Sequence, residues 1–209
     1  MNAISNYWLF LLSGIILNIT PGSDTIYILS RSIAQGKKAG VLSVLGISTG
    51  SLVHTVLVTT GVSLILSKSL LAFSIIKYCG AAYLLYIGIR TILMKESIIE
   101  IDKKTKASTT NRKIYVQGIL TNILNPKVIL FFLTFLPQFI IPEKGNAQIG
   151  LLILGITFIC TGTLWCLLLV YFSSFFTEKA RKNQKISQIL NKASGVVFIG
   201  LGLKVGLGE

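Results

Sequence analysis

Two short stretches decide how this chain folds: Asn18-Ile19-Thr20-Pro21-Gly22-Ser23-Asp24 and Asn122-Ile123-Leu124-Asn125-Pro126-Lys127. Each is a polar cluster around a proline inside an otherwise apolar run. Proline carries no amide hydrogen, so Pro21 removes the donor a helix would give the Leu17 carbonyl, and Pro126 does the same to Asn122. Gly22 loosens the first break further. Freed carbonyls inside a lipid-embedded chain are tolerated only where protein or a water-filled cavity satisfies them, so both breaks are expected to face inward toward each other.

The rest of the chain fits that setting. Of its 209 residues, 52% are hydrophobic and only 13% charged, with a mean hydropathy of +0.75. Soluble domains carry roughly 25% charge, so a water-soluble globule is excluded. Apolar blocks fall at 5–28, 40–66, 70–93, 115–140, 148–175 and 193–207, which predicts six spans at roughly 20 residues each and no extra domain. The last block is short and Gly-rich, and needs a tilted neighbour, a thinner bilayer or a lead-in from Ile186 to Leu190.

The net charge of +13 is a topology signal rather than a nucleic-acid footprint. Fifteen of the twenty Lys and Arg residues lie in the connections after the first, third and fifth blocks, four lie on the opposite side, and Lys127 sits within a span. Basic connections stay cytoplasmic, which predicts an inner-membrane protein with both termini outside and some attraction to anionic lipid. The first block lacks a basic n-region and a cleavage motif, and is expected to remain as a helix. Cys79, Cys160 and Cys166 fall inside spans and read as small packing residues.

The two breaks belong to an internal repeat. Gly14, Asn18 and Pro21 match Gly118, Asn122 and Pro126 at offsets of 104 to 105, and Gly88-Ile89-Arg90 matches Gly202-Leu203-Lys204 at 114. A repeat of three spans enters the bilayer from the other side on its second pass, which predicts an inverted 3+3 architecture. Residues 1–94 form the first unit and 114–209 the second, joined by a charged, Ser/Thr-rich cytoplasmic linker at 95–113.

Symmetry-related breaks point to a midplane binding site. Its expected residues are Asn18, Thr20, Pro21, Gly22 and Asp24 from the first break, with Asn122, Asn125, Pro126 and Lys127 from the second. Freed carbonyls and a carboxylate suit an ammonium group, and the amides of a restarting helix suit a carboxylate, so the pair suits a zwitterion. A charge at a helix centre costs roughly 2.5–3.5 kcal/mol unless paired or hydrated. Asp24 is therefore expected to bind the amine or exchange a proton, while Lys127 pairs with it or attracts the carboxylate. The plainer reading is a pair of proline kinks with hydrated or merely stabilising charges.

Gly46-x-x-x-Gly50-x-x-x-His54 puts two glycines and the sole histidine on one helix face. His54 serves there either as a coupling relay or as a packed interhelical hydrogen-bonding group. One histidine, scattered cysteines and no carboxylate cluster predict no metal site, and no cofactor is expected. Tyr83, Tyr86, Trp165 and Tyr171 read as interface or packing aromatics.

These motifs resemble the lysine exporter (LysE/RhtB) superfamily, in its homoserine/threonine-efflux branch. The likeness runs through Ile19-Thr20-Pro21-Gly22-Ser23-Asp24, Leu29-Ser30-Arg31-Ser32, Gly36-Lys37-Lys38-Ala39-Gly40 and Gly46-x-x-x-Gly50 to His54. It continues in Asn125-Pro126-Lys127 with Phe131-Phe132 and in Gly200-Leu201-Gly202-Leu203-Lys204, covering essentially the whole chain. The resemblance implies a multi-pass exporter of amino acids, driven by protons. Ser23 departs from a second proline common in the family. Ser51 stands where some members carry an aspartate, so a coupling role there passes to Asp24 or His54.

The expected function is therefore a non-enzymatic secondary transporter, an antiporter in mode, that exports neutral or hydroxylated amino acids such as threonine or homoserine. Its partners are a small amino-acid substrate, a proton and membrane lipid; nothing in the pattern opposes a homo-oligomer. Two other classes compete. A membrane thiol-electron conveyor needs reactive cysteines near both breaks, where Thr20-Pro21 and Asn125-Pro126 stand instead. An ion or metal permease needs a cluster of carboxylate or soft ligands.

Overall fold

The computed structural model describes residues 3–62, 70–93, 110–141 and 144–173, together with isolated helical positions between 192 and 207. The regular structure among those residues is helical, apart from one isolated antiparallel bridge between Ile4 and Ile140. Helix α1 spans Tyr7–Ile19 and α2 spans Ser23–Leu57, continued by a π turn at Val58–Val62. Helix α3 covers Leu70–Leu93, coincident with the third apolar block. Helix α4 runs Asn111–Ile123, followed after a two-residue break by α5 at Pro126–Leu130. A π turn at Phe131–Phe135 and a 3₁₀ turn at Leu136–Phe139 extend α5, and α6 spans Ala147–Tyr171.

Helix α2 is two helices laid back to back. Gly36 has φ +83° and ψ 177°, a conformation open essentially to glycine alone. A Cβ on Gly40 would collide with the Ser32 hydroxyl, although residues eight apart in a straight helix are about 12 Å apart. The chain therefore reverses at Gly36. Four residues further from the turn on each arm, Ile28 and Val44 share one buried cluster. The helical arm that starts at Ser23 thus extends through Gln35, beyond the expected end of the first apolar block at residue 28. Its continuation past Arg31 is possible because that guanidinium donates to Gln117 Oε1 at 2.8 Å and lies over the Tyr27 ring.

Among the described residues, Ala147–Tyr171 is long and apolar enough to cross a membrane, as is the stretch Ser23–Gly61, which the reversal at Gly36 divides into two arms. The pair Asn111–Ile123 and Pro126–Phe139, bent by 50°, makes a third if it is one broken span. Large apolar side chains cover the outside, with Trp8 78%, Leu93 71% and Leu124 71% exposed. Ser43, Ser51, His54, Thr55 and Asn122 are buried within. An apolar coat over a hydroxyl-rich interior suits lipid rather than water.

Beside that interior, Phe10, Phe131, Phe135, Phe139 and Phe158 pack into an aromatic core that holds the extension of α5 against α1 and α6. On the other flank, α2 and α4 cross where glycines remove their side chains: a Cβ on Gly46 would meet the Tyr115 carbonyl and come within 3.0 Å of Gly118 Cα. Helix α3 is met by the last helical positions through Gly88, Gly195 and Gly202, whose Cβ atoms would each strike the opposing backbone.

Two residues of the first basic connection, Arg31 and Lys37, lie at one end of the described helices. Arg31 reaches Gln117 near the start of α4, and the Lys37 ammonium lies 4.4 Å from the Tyr171 ring at the end of α6. At the opposite end the segment 3–6 pairs with 139–141, through Ser5 to Phe139 and Ile141 to Ala3 backbone bonds of 2.8 Å each. Most of the expected linker and of the sixth span lies outside the described residues. The end of the linker is helical from Asn111, because Ile114 is already buried and Tyr27 Oη donates to its carbonyl at 2.7 Å.

Candidate functional site

The first break closes with Thr20. Its hydroxyl and its amide both donate to the Ile16 carbonyl, at 2.8 and 3.0 Å. Pro21 then leaves the Leu17 carbonyl without a helical donor. Lys127, from the second break, donates from Nζ to Leu17 O at 3.0 Å and to Thr20 O at 2.9 Å. Gly22 lies over that ammonium, where a Cβ would come within 3.4 Å of Nζ.

Asp24 enters the first turn of α2, where the helix dipole favours a negative charge. Its Oδ2 accepts from Asn122 Nδ2 at 2.8 Å. Asn122 is the junction: Ser51 Oγ donates to its Oδ1 at 3.2 Å, and His54 Nε2 lies 3.3 Å from its carbonyl. That carbonyl is the acceptor stripped by Pro126, and it also receives the Asn125 amide at 3.0 Å. The ring of His54 stacks on Phe132 at 5.5 Å.

The two asparagines at matching repeat positions are held alike. Asn18 Nδ2 donates to Thr161 Oγ1 at 3.2 Å on α6, and a Cβ on Gly162 would come within 3.0 Å of its Oδ1. Asn122 meets Ser51 on α2, and a Cβ on Gly50 would come within 2.8 Å of its Oδ1. Each asparagine thus lies against a glycine from the other half of the chain.

Between the breaks is a cavity of about 30 Å³ lined by Asn18, Asp24, Asn122 and Lys127. It has room for little more than one water. Asp24 Oδ1 is buried and has no hydrogen-bond partner among the described residues. A buried carboxylate oxygen beside an ammonium can take a proton, a water or a cationic headgroup.

Other predicted site residues act from the wall. Pro21 and Gly22 shape the first break, and Pro126 opens α5. Asn125 caps that helix, its Oδ1 accepting from the Lys127 amide at 3.1 Å, while its Nδ2 is buried with no partner among the described residues. His54 stands behind Asn122, against Phe132. Two expectations change. The freed carbonyls are occupied by the chain's own donors, because Lys127 and His54 are long enough to reach them. The second restart has its Lys127 and Val128 amides bonded to Asn125, so of the two restarts it is the start of α2 that lacks a side-chain cap.

Sequence reasoning missed Ser48, Ser51, Thr163 and Cys166 as lining residues. The signal was there for the hydroxyls: Ser48 and Ser51, three apart, share one helix face, and Thr161-Gly162-Thr163 is a polar run in an apolar span. Cys166 packs against the Ile28 and Val44 cluster, as a packing residue would, and also lines the cavity, whereas Cys160 is exposed on α6.

The LysE type translocator family matches residues 15–208. The chain is 37% identical over 196 residues to "Uncharacterized membrane protein YrhP" of Bacillus subtilis, covering 90% of this chain and 92% of that protein. It is 36% identical over 202 residues to a homoserine/homoserine lactone efflux protein of Salmonella typhimurium, covering 94% and 93%. The corresponding efflux protein of Salmonella typhi is 34% identical with the same coverage. No solved structure matches the chain. With a family match over nearly its whole length and relatives alike end to end, this chain belongs to the LysE type translocator family.

Proposed function

We propose that this protein is a secondary transporter that exports a small neutral or hydroxylated amino acid across the bacterial inner membrane, in antiport with protons. The site is the cavity between the two breaks. What carries this reading is the joining of the breaks across the chain: Lys127 closes on Leu17 and Thr20 beside the buried, unbonded Asp24 Oδ1. The efflux activity named for the Salmonella relatives agrees with it.

In this reading the substrate ammonium sits at Asp24 Oδ1. The carboxylate faces the start of α2 and Lys127, which has a third proton beyond the two it gives to carbonyls. Asp24 exchanges ammonium for a proton, and His54 acts on it through Asn122, which touches both. A cavity of about 30 Å³ is too small for an amino acid, so in this reading alternating access must open the site to admit substrate. The chain crosses the membrane six times as an inverted repeat of 1–94 and 114–209. The glycine-backed asparagines at equivalent positions support that symmetry. The basic end faces the cytoplasm and both termini face outside, in agreement with the charge bias.

The test is export from proteoliposomes loaded with labelled homoserine or threonine, with a proton gradient imposed. Export faster than from protein-free vesicles, lost in Asp24→Asn, is expected. Rates equal to those of empty vesicles across an amino-acid panel would overturn the assignment.

A further inference from the structure

The cavity has a polar feature that the amine and carboxylate of a zwitterion do not use. Ser48, on the returning arm of α2, and Thr163, on α6, are hydrogen-bonded through side-chain oxygens 2.7 Å apart. Both line the cavity that holds Asp24. Their bond uses one of two hydroxyl protons, so the pair presents one donor and several lone pairs to whatever enters. The reversal at Gly36 sets Ser48 level with Asp24, one step beyond the Ser32–Gly40 and Ile28–Val44 levels. Ile47, Val128 and Phe158 contribute apolar surface to the same cavity.

We infer that the Ser48–Thr163 pair determines specificity for a hydroxyl group on the substrate side chain, so that hydroxylated amino acids are exported in preference to their methyl counterparts. This rests on the reading of the cavity as an amino-acid site. The space beside the pair has room for about one water. A substrate hydroxyl replaces such a water's bonds to Ser48 and Thr163, whereas a methyl group displaces the water and replaces nothing. Because the two hydroxyls also satisfy each other, rejection of the methyl analogue is milder than at a site left with unpaired groups. A preference of about tenfold follows, well short of the largest hydroxyl discriminations.

The experiment uses the full chain in proteoliposomes and compares export of threonine with valine, its near-isostere, and of homoserine with 2-aminobutyrate. The readout is the ratio within each pair, not the absolute rate. Wild type is expected to favour the hydroxylated member about tenfold, and the Ser48→Ala, Thr163→Val double variant to bring the ratio within about twofold. Thr163→Ser, which keeps the hydroxyl, should hold the preference. Should the double variant fail to insert, Thr163→Val alone gives the same comparison with almost no change in shape. Equal export of threonine and valine by wild type, or an undiminished ratio in the variants, overturns the inference and leaves amino-acid export standing. Export of none of the four compounds by wild type overturns both.

Discussion

The Lys127 ammonium lies 3.0 Å from the Leu17 carbonyl, the acceptor that Pro21 strips of its helical partner more than a hundred residues away. The same nitrogen reaches Thr20 O at 2.9 Å. A defect in one half of the chain is thus repaired by a charge from the other, and the two proline breaks behave as a single structural unit. The opposite repair, His54 to the Asn122 carbonyl, runs between α2 and the second break.

Removing the Lys127 donor strands two buried carbonyls. Lys127→Met should cost about 1–3 kcal/mol for each group left unsatisfied. At this chain length that lowers the unfolding midpoint by roughly 5 °C or more, and Lys127→Arg should restore most of it. Thermal unfolding in detergent checks both.

Asp24→Asn keeps an oxygen that can still accept from Asn122 Nδ2 but removes the charge. Normal membrane insertion with export reduced to the protein-free level is expected. Undiminished export with an unchanged response to the proton gradient would show that the carboxylate has no part in transport.

At Gly36 a Cβ would meet nothing within 4 Å, so any penalty for a side chain there is purely conformational. Gly36→Ala should destabilise by about 1–3 kcal/mol because its backbone lies in the glycine-only region. Gly61, which also has open space around it, provides the control: Gly61→Ala should be close to neutral. Denaturant unfolding of the two variants separates backbone strain from crowding.

His54 touches the site only through Asn122 and stacks on Phe132. His54→Gln keeps a donor for the Asn122 carbonyl, and export is expected to persist with an altered pH profile. His54→Leu loses the donor as well and should also lower the unfolding midpoint. An unaltered pH profile in both variants would confine His54 to packing.

Much of the fold is legible in the residue order because the bilayer constrains it strongly. Apolar blocks at 70–93 and 148–175 become α3 and α6 almost residue for residue, since a helix is the one local structure that satisfies its own backbone in lipid. The breaks at Pro21 and Pro126 are equally legible, as a missing amide hydrogen is a local chemical fact. The turn between the first two apolar blocks was expected within residues 29–39, but not its place at Gly36 with helix on both sides: the flanking residues are good helix formers, and the collision of Gly40 with Ser32 shows where the chain turns back. The site shows the same division. Asp24 and Lys127 stand out as charges in an apolar run, whereas Ser48 and Thr163 look like ordinary helix hydroxyls until their helices meet.

The sequence by itself determined that this chain suits a membrane, where its helices break, how its basic residues divide among the connections and which polar residues lie near the breaks. All of these depend on composition or on the nearest few bonds. Only the tertiary structure decided who satisfies whom: Lys127 with Leu17, Asn122 with Asp24 and Ser51, Ser48 with Thr163. Those pairings join residues 71 to 115 positions apart, and they depend on glycines letting backbones approach closely enough for short polar side chains to reach.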